Sequence, residues 1–318
     1  MTLEEQIKQK ARDLGFDIVG ITDAEPLHKN YLDNLLGWLD AGFAGRMTWL
    51  HKDVEKRTNP AKLFPGAKSI IVVGLNYKPA YNPANGSNTQ GKIAPYARYD
   101  DYHPFIKGQL RKLVDFLIET TGPCLKFKIC VDSTPLLERA FAVKAGLGFI
   151  GKNHALINPD LGPQIFLGEL ITNLEIGTPV TNRRSAQANG CQKCNKCVAA
   201  CPTGALRQDG SFDATKCISY LTIESNTEIP SDLAPKIGNW LFGCADCISA
   251  CPYQQKAPAC ANKDFAFYAD RTFLNLKEVI NLTEDQFNMR FANSPILRPG
   301  LDHLKKTARI CMNNLSNS

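Results

Sequence analysis

No apolar run in this 318-residue chain approaches the roughly 20 residues needed to cross a bilayer. Met1-Thr-Leu-Glu-Glu has neither the basic start nor the apolar stretch of a secretory signal. A large charge excess is missing too: 37 Lys and Arg against 31 Asp and Glu leave a net +6. That value suits a polyanionic partner and an ordinary soluble surface equally well. No sequence repeats except one doubled cysteine pattern, and no nucleotide fingerprint stands in the right setting. Gly146-Leu-Gly148-Phe-Ile-Gly151 matches a dinucleotide turn but follows a helix-like segment instead of a strand, and as a phosphate loop it ends in Gly151-Lys152-Asn153, without the Ser or Thr that binds magnesium. Asp101-x-His103 opens like the cobalamin motif D-x-H-x-x-G, but Ile106 takes the glycine position.

Cysteine is what the chain has in quantity. Of its 12 cysteines, eight fall into two runs, Cys191-x2-Cys194-x2-Cys197-x3-Cys201-Pro202 and Cys217…Cys244-x2-Cys247-x3-Cys251-Pro252. Thiolates at every third residue wrap one face of a cubane cluster, and the last cysteine of each run serves the other cluster. One 4Fe-4S site is therefore expected from Cys191, Cys194, Cys197 and Cys251, and a second from Cys201, Cys244, Cys247 and Cys217. Cys217 replaces the ligand that a regular run would put at Leu241. Zinc is the alternative for C-x2-C pairs, but a triple run ending twice in Cys-Pro is poor tetrahedral geometry. Cys124, Cys130, Cys260 and Cys311 read as small buried hydrophobes. Two clusters imply single-electron traffic, a reducing cytoplasmic location and no disulfide framework.

Hydrophobic content of 44% supports substantial cores. Thr2 and Glu5 form a capping box before a helix carrying Ile7, Ala11 and Leu14, and a strand follows over Phe16–Thr22. Leu32 to Leu39 is helical and Ser69–Asn76 a buried strand. A loop runs over Lys78–Pro95; a helix is expected over Phe105–Thr120, a strand over Lys126–Val131, a helix over Leu136–Ala145 and a strand over Gln164–Thr172. The polar stretch Thr178–Gly190 reads as a linker. The fold class is α+β, with an α/β-type domain over 1–180, a two-cluster ferredoxin-like domain over 181–260 and a C-terminal helical region over 261–318. Asp132 ends a strand just before Ser133-Thr134-Pro135. It is either the cap of the next helix or an acid at the strand end where open sheets place active sites.

The stretch Val131-Asp-Ser-Thr-Pro-Leu-Leu-Glu-Arg-Ala-Phe-Ala-Val-Lys-Ala-Gly-Leu-Gly-Phe-Ile-Gly-Lys-Asn-His154 joins Phe166-Leu-Gly-Glu169, Glu55-Lys-Arg-Thr58, Asp101-Tyr-His103 and Cys217-Ile-Ser-Tyr-Leu-Thr-Ile-Glu224. Together, over essentially the whole chain, they resemble the epoxyqueuosine reductases, which use cobalamin and two 4Fe-4S clusters to reduce epoxyqueuosine in tRNA anticodons to queuosine. The resemblance implies Asp132 as general acid. It implies a base-off cobalamin pocket lined by Arg57, Ala94, Asp132, His154, Leu156 and Leu167 from the first domain and by Ser219, Cys244 and Ala245 from the cluster side. It further implies a tRNA partner, an external one-electron reductant and, at the C-terminal end, Arg298, Lys305 and Lys306 as phosphate contacts. A monomer without membrane attachment is expected. Two other classes share features of the pattern: a cobalamin reductase of small molecules, as in reductive dehalogenases, and a ferredoxin-type electron carrier without catalysis.

Overall fold

The computed structural model describes residues 1–81, 86–177 and 191–317; the expected linker and the boundary at 180 lie outside them. The first part is built on four strands, β1 (Ile18–Asp23), β2 (Ser69–Asn76), β3 (Phe127–Cys130) and β4 (Ile165–Thr172). They pair in the order β1-β2-β4-β3, every pair antiparallel. The α+β class is as expected. The antiparallel pairing means that the strand-end rule for parallel sheets does not explain Asp132, whose position comes instead from the edge strand β3.

All eight residues of β2 are buried because both faces of the sheet are covered. Ile71, Val73 and Leu75 meet Ile7, Ala11, Ile106 and Leu110 from the helices Leu3–Asp13 and Tyr102–Thr121. The alternate residues Ile70 and Val72 meet Ala140 and Phe141 of the helix Glu138–Lys144. The period of two in the side chains thus serves two helical layers, each fully buried Ile or Leu contributing about 1.5–3 kcal/mol. The Thr2–Glu5 capping box is formed.

A second, three-stranded sheet joins distant parts of the chain. Gln90–Ile93 pairs in parallel with Trp240–Phe242 and antiparallel with Phe273–Asn275. Its core packs Ile93, Leu241, Phe242, Leu274, Phe287, Phe291 and Leu304 together. Leu241 is fully buried in this core, which explains why that position carries an aliphatic side chain and not a thiol. Residues from all three expected domains therefore meet in this core. Among the described residues no helix is long and apolar enough to cross a membrane.

Candidate active site

The chain leaves β3 through Val131 and turns at Asp132 with φ +55, in the left-handed region that a non-glycine residue occupies only when its surroundings hold it there. The next helix begins at Glu138 and is capped at Leu137 without a side-chain bond. Asp132 is therefore not a helix cap, and its carboxylate is free for other work. Its side chain remains 56% accessible, yet surrounding protein partly desolvates it.

His103 faces it. Asp101 caps the helix Tyr102–Thr121 by accepting from the His103 N–H, and the same oxygen lies 2.7 Å from His103 Nδ1. The other ring nitrogen, Nε2, is 3.1 Å from Asp132 Oδ2. Burial alone would depress the imidazole, but the hydrogen bonds and charges of Asp101 and Asp132 outweigh it and push His103 up to about 9. At neutral pH it is an imidazolium donating to both carboxylates. Its hydrogen bond, opposed by burial and aided by the Tyr102 hydroxyl, holds the Asp132 carboxyl below its ordinary range. Tyr102 is fixed by stacking on Phe166, with ring centroids 4.2 Å apart.

Beneath Asp132 lie two further acids. The Asp132 N–H donates to Glu138 Oε1. Burial first, then the Asp132 charge, push Glu138 up to about 7. Glu169, on β4 opposite Cys130, is fully buried and neither of its carboxyl oxygens meets a donor. Burial and the charge of Glu138 raise it well above its ordinary value. Arg139 donates to the backbone oxygen of His154, whose left-handed φ is +58 and whose Nε2 lies 3.2 Å from the Gly210 oxygen. His103, Glu138, Arg139 and Glu169 had no role assigned from the sequence. An Asp-x-His pair at a helix start and one acid inside the apolar run Ile165–Thr172 were the signals available.

The remaining expected pocket residues form three groups. Ala94, Cys244 and Ala245 pack together with Ile218 at the junction of the first and cluster parts, next to Ser219 at the start of the helix Ile218–Ile223. Leu156 and Leu167 are buried together in the core beneath the helix Glu138–Lys144. Arg57 donates to the Trp49 oxygen, its own backbone oxygen holds the Leu137 N–H, and its Nε is buried without a partner. Arg298 is paired in this structure: its Nε and one terminal nitrogen fork onto Glu224 at 2.7 and 3.0 Å, and Trp49 lies 5.7 Å from its guanidinium. Lys305 is half-buried and Lys306 exposed on the C-terminal helix Leu301–Ser316.

The cysteines segregate into two sets. Cys191, Cys194, Cys197 and Cys251 line one cavity with Lys152, Tyr253 and Pro252. In the other set, burial followed by the charges of Cys217 and Cys201 pushes the Cys247 thiol up to about 12. Cys244 is raised by burial, then by Asp246, Cys247 and Cys217. Such thiols ionise only with a cation or cluster to take the charge. Of the other four, Cys130 and Cys311 are buried, Cys260 is half-buried, and Cys124 is exposed, contrary to expectation. The glycines of Gly146–Gly151 make a tight crossing: a Cβ on Gly148 would lie 2.2 Å from the Ile157 oxygen.

A family model described as epoxyqueuosine reductase QueG matches residues 57–133, and one described as a 4Fe-4S double cluster binding domain matches 190–254. An epoxyqueuosine reductase from Cyclobacterium marinum is 37% identical over 310 residues, covering 98% of this chain and 97% of the relative. The crystal structure of an epoxyqueuosine reductase with an epoxyqueuosine-modified tRNA-Tyr stem loop superposes with a TM-score of 0.88 at 28% identity, over 99% of this chain and 82% of that one. A Bacillus subtilis epoxyqueuosine reductase, TM-score 0.87 and 28% identical over 99% of this chain and 82% of that one, was captured with its catalytic aspartate loop swung out of the active site. With that identity over nearly the full length of both chains, the protein belongs to the epoxyqueuosine reductases, an oxidoreductase family.

Proposed function

We propose that this chain reduces the epoxide of epoxyqueuosine at a tRNA wobble position to queuosine, with Asp132 as the proton donor at the epoxide oxygen. The observation that carries this reading is the triad Asp101–His103–Asp132, whose Asp132 side chain stays accessible. The relative solved with a modified tRNA stem loop and the relative with a mobile catalytic aspartate loop support it.

The residues present fit the implied cofactors. Two sets of four thiols suit two cubane clusters. The unpartnered Arg57 Nε, and the packing of Ala94, Cys244 and Ala245 where the first and cluster parts meet, suit a large ligand carrying polar side groups, which His154, Leu156, Leu167 and Ser219 would also contact. When bound, the clusters pass single electrons from an external reductant and cobalamin gathers the pair.

Removing the epoxide oxygen as water consumes two electrons and two protons. In the free protein the mobile proton resides on His103, and Asp132 is ionised. A substrate that covers the accessible Asp132 side chain excludes water, which favours the neutral form of Asp132; the proton then crosses the 3.1 Å bond from His103 Nε2 to Asp132 Oδ2, within reach of the epoxide oxygen. Asp101 keeps the ring oriented throughout. Glu138 holds the Asp132 backbone in its left-handed turn.

The test is anaerobic incubation of the cofactor-loaded protein with tRNA carrying epoxyqueuosine and a one-electron reductant, followed by nucleoside mass spectrometry. Conversion to queuosine is expected. Failure to convert by protein with full iron and cobalamin content overturns the proposal.

A further inference from the structure

The helix Tyr102–Thr121 and the edge strand β3 enclose a surface groove of about 570 Å³, lined by Lys107, Gly108, Arg111, Phe127, Lys128 and Ile129. Three of these six residues are cations. None of the three forms an ion pair among the described residues, whereas Lys29, Lys56 and Lys62 each meet an acid. The Arg111 guanidinium lies 5.2 Å from the Phe127 ring, which holds it at the groove wall. On the floor is Gly108, where an added Cβ would meet nothing within 4 Å. Glycine inside a helix costs about 1 kcal/mol relative to alanine, and here it leaves the groove open between two cations.

The groove leads to the active site from two sides. Lys107 is one helical turn, about 6 Å of rise, from His103, and its charge acts on Asp101. Lys128 lies on β3 four residues before Asp132, roughly 13 Å along an extended chain. Like-charged side chains gathered round a concavity, without acids of their own, are stabilised by an anion that enters it.

We propose that this groove is a phosphate track: Lys107, Arg111 and Lys128 grip the backbone of the substrate RNA as it passes to Asp132. The inference rests on the RNA substrate of the preceding section. It differs from the sequence expectation, which put phosphate contacts at the C-terminal end, where Arg298 is already committed to Glu224. An acidic electron-donor protein is the less favoured occupant, because the groove adjoins the acid site and not the cysteine sets.

The experiment uses the cofactor-loaded full chain and a fluorescent anticodon stem-loop RNA carrying epoxyqueuosine. The triple variant Lys107→Gln, Arg111→Gln, Lys128→Gln is compared with wild type and with a charge-matched triple, Lys8→Gln, Lys29→Gln, Lys62→Gln. At about 0.7 counterions released per single-strand contact, three lost contacts weaken binding about a hundredfold near 0.1 M salt and flatten the slope of log K against log salt by about two. KM rises while kcat stays within about twofold. Gly108→Glu weakens binding in the same direction, and Gly108→Ala does not. Wild-type affinity and salt slope in the groove triple overturn the proposal. So does an equal effect of the matched control, or a loss confined to cluster reduction by a donor protein. If wild type converts the RNA and only these effects are missing, the groove alone is wrong; if wild type neither binds nor converts it, the function falls and the groove with it.

Discussion

Replacing His103 by Gln tests how the Asp101–His103–Asp132 triad stores its proton. The imidazole is held between Asp101 at 2.7 Å and Asp132 at 3.1 Å, and it titrates at about 9 in place of 6.5. That displacement corresponds to about 3 kcal/mol, reduced to about 2 because the Asp132 side chain is 56% accessible and water screens the pair. A basic group raised on folding contributes its full stability below pH 6.5 and loses it as the pH climbs through 9. Urea unfolding of wild type and His103→Gln should therefore differ by about 2 kcal/mol at pH 6 and by almost nothing at pH 10. The variant should also lose its turnover at neutral pH by about 100-fold, since Asp132 then has no adjacent proton source. Carbon-detected titration of the five histidines, His28, His51, His103, His154 and His303, reads the value directly. A His103 midpoint at or below 6.5, with a pH-independent stability difference, refutes the reasoning.

Glu169→Gln should flatten the pH dependence of stability. An acid raised by burial is tolerated when protonated and costs stability as the pH rises from the ordinary carboxylate range toward its raised folded value, so wild type loses stability relative to the variant as the pH rises; a stability difference that stays constant with pH contradicts this. Cys217→Ser should lower the iron content of anaerobically purified protein from about eight atoms to about four and remove one cluster's signal from the paramagnetic resonance spectrum; an unchanged content would show that Cys217 is not a ligand. Gly148→Ala should destabilise the fold by about 3 kcal/mol or more, because its Cβ would sit 2.2 Å from the Ile157 oxygen at φ +157. Arg298→Ala should leave RNA salt dependence nearly unchanged, its guanidinium being bound to Glu224.

Elements that obey one local rule were legible in the chain. The capping box at Thr2, the strand Ser69–Asn76 and the helix after Asp101 lie within a few residues of expectation because capping and periodicity are written in adjacent residues. The three-stranded sheet was not legible: Gln90–Ile93, Trp240–Phe242 and Phe273–Asn275 are each too short to carry a pattern, and only long-range pairing unites them. The site followed the same division. Cysteine spacing located eight thiols, while the bond between His103 and Asp132 spans 29 positions and leaves no spacing to read. Backbone geometry removes the cap reading of Asp132, since the following helix starts six residues later. Arg298 looked like a free cation because its partner, Glu224, is remote in sequence.

The central claim is that the Asp132 carboxyl delivers the proton to the epoxide oxygen. Asp132→Asn keeps the size and most hydrogen bonds of the side chain but carries no acidic proton. Under anaerobic single-turnover conditions with tRNA bearing epoxyqueuosine, the variant should retain iron, cobalamin and RNA affinity within about twofold of wild type while forming queuosine at least about 100-fold more slowly. Wild-type turnover in that variant would contradict the account.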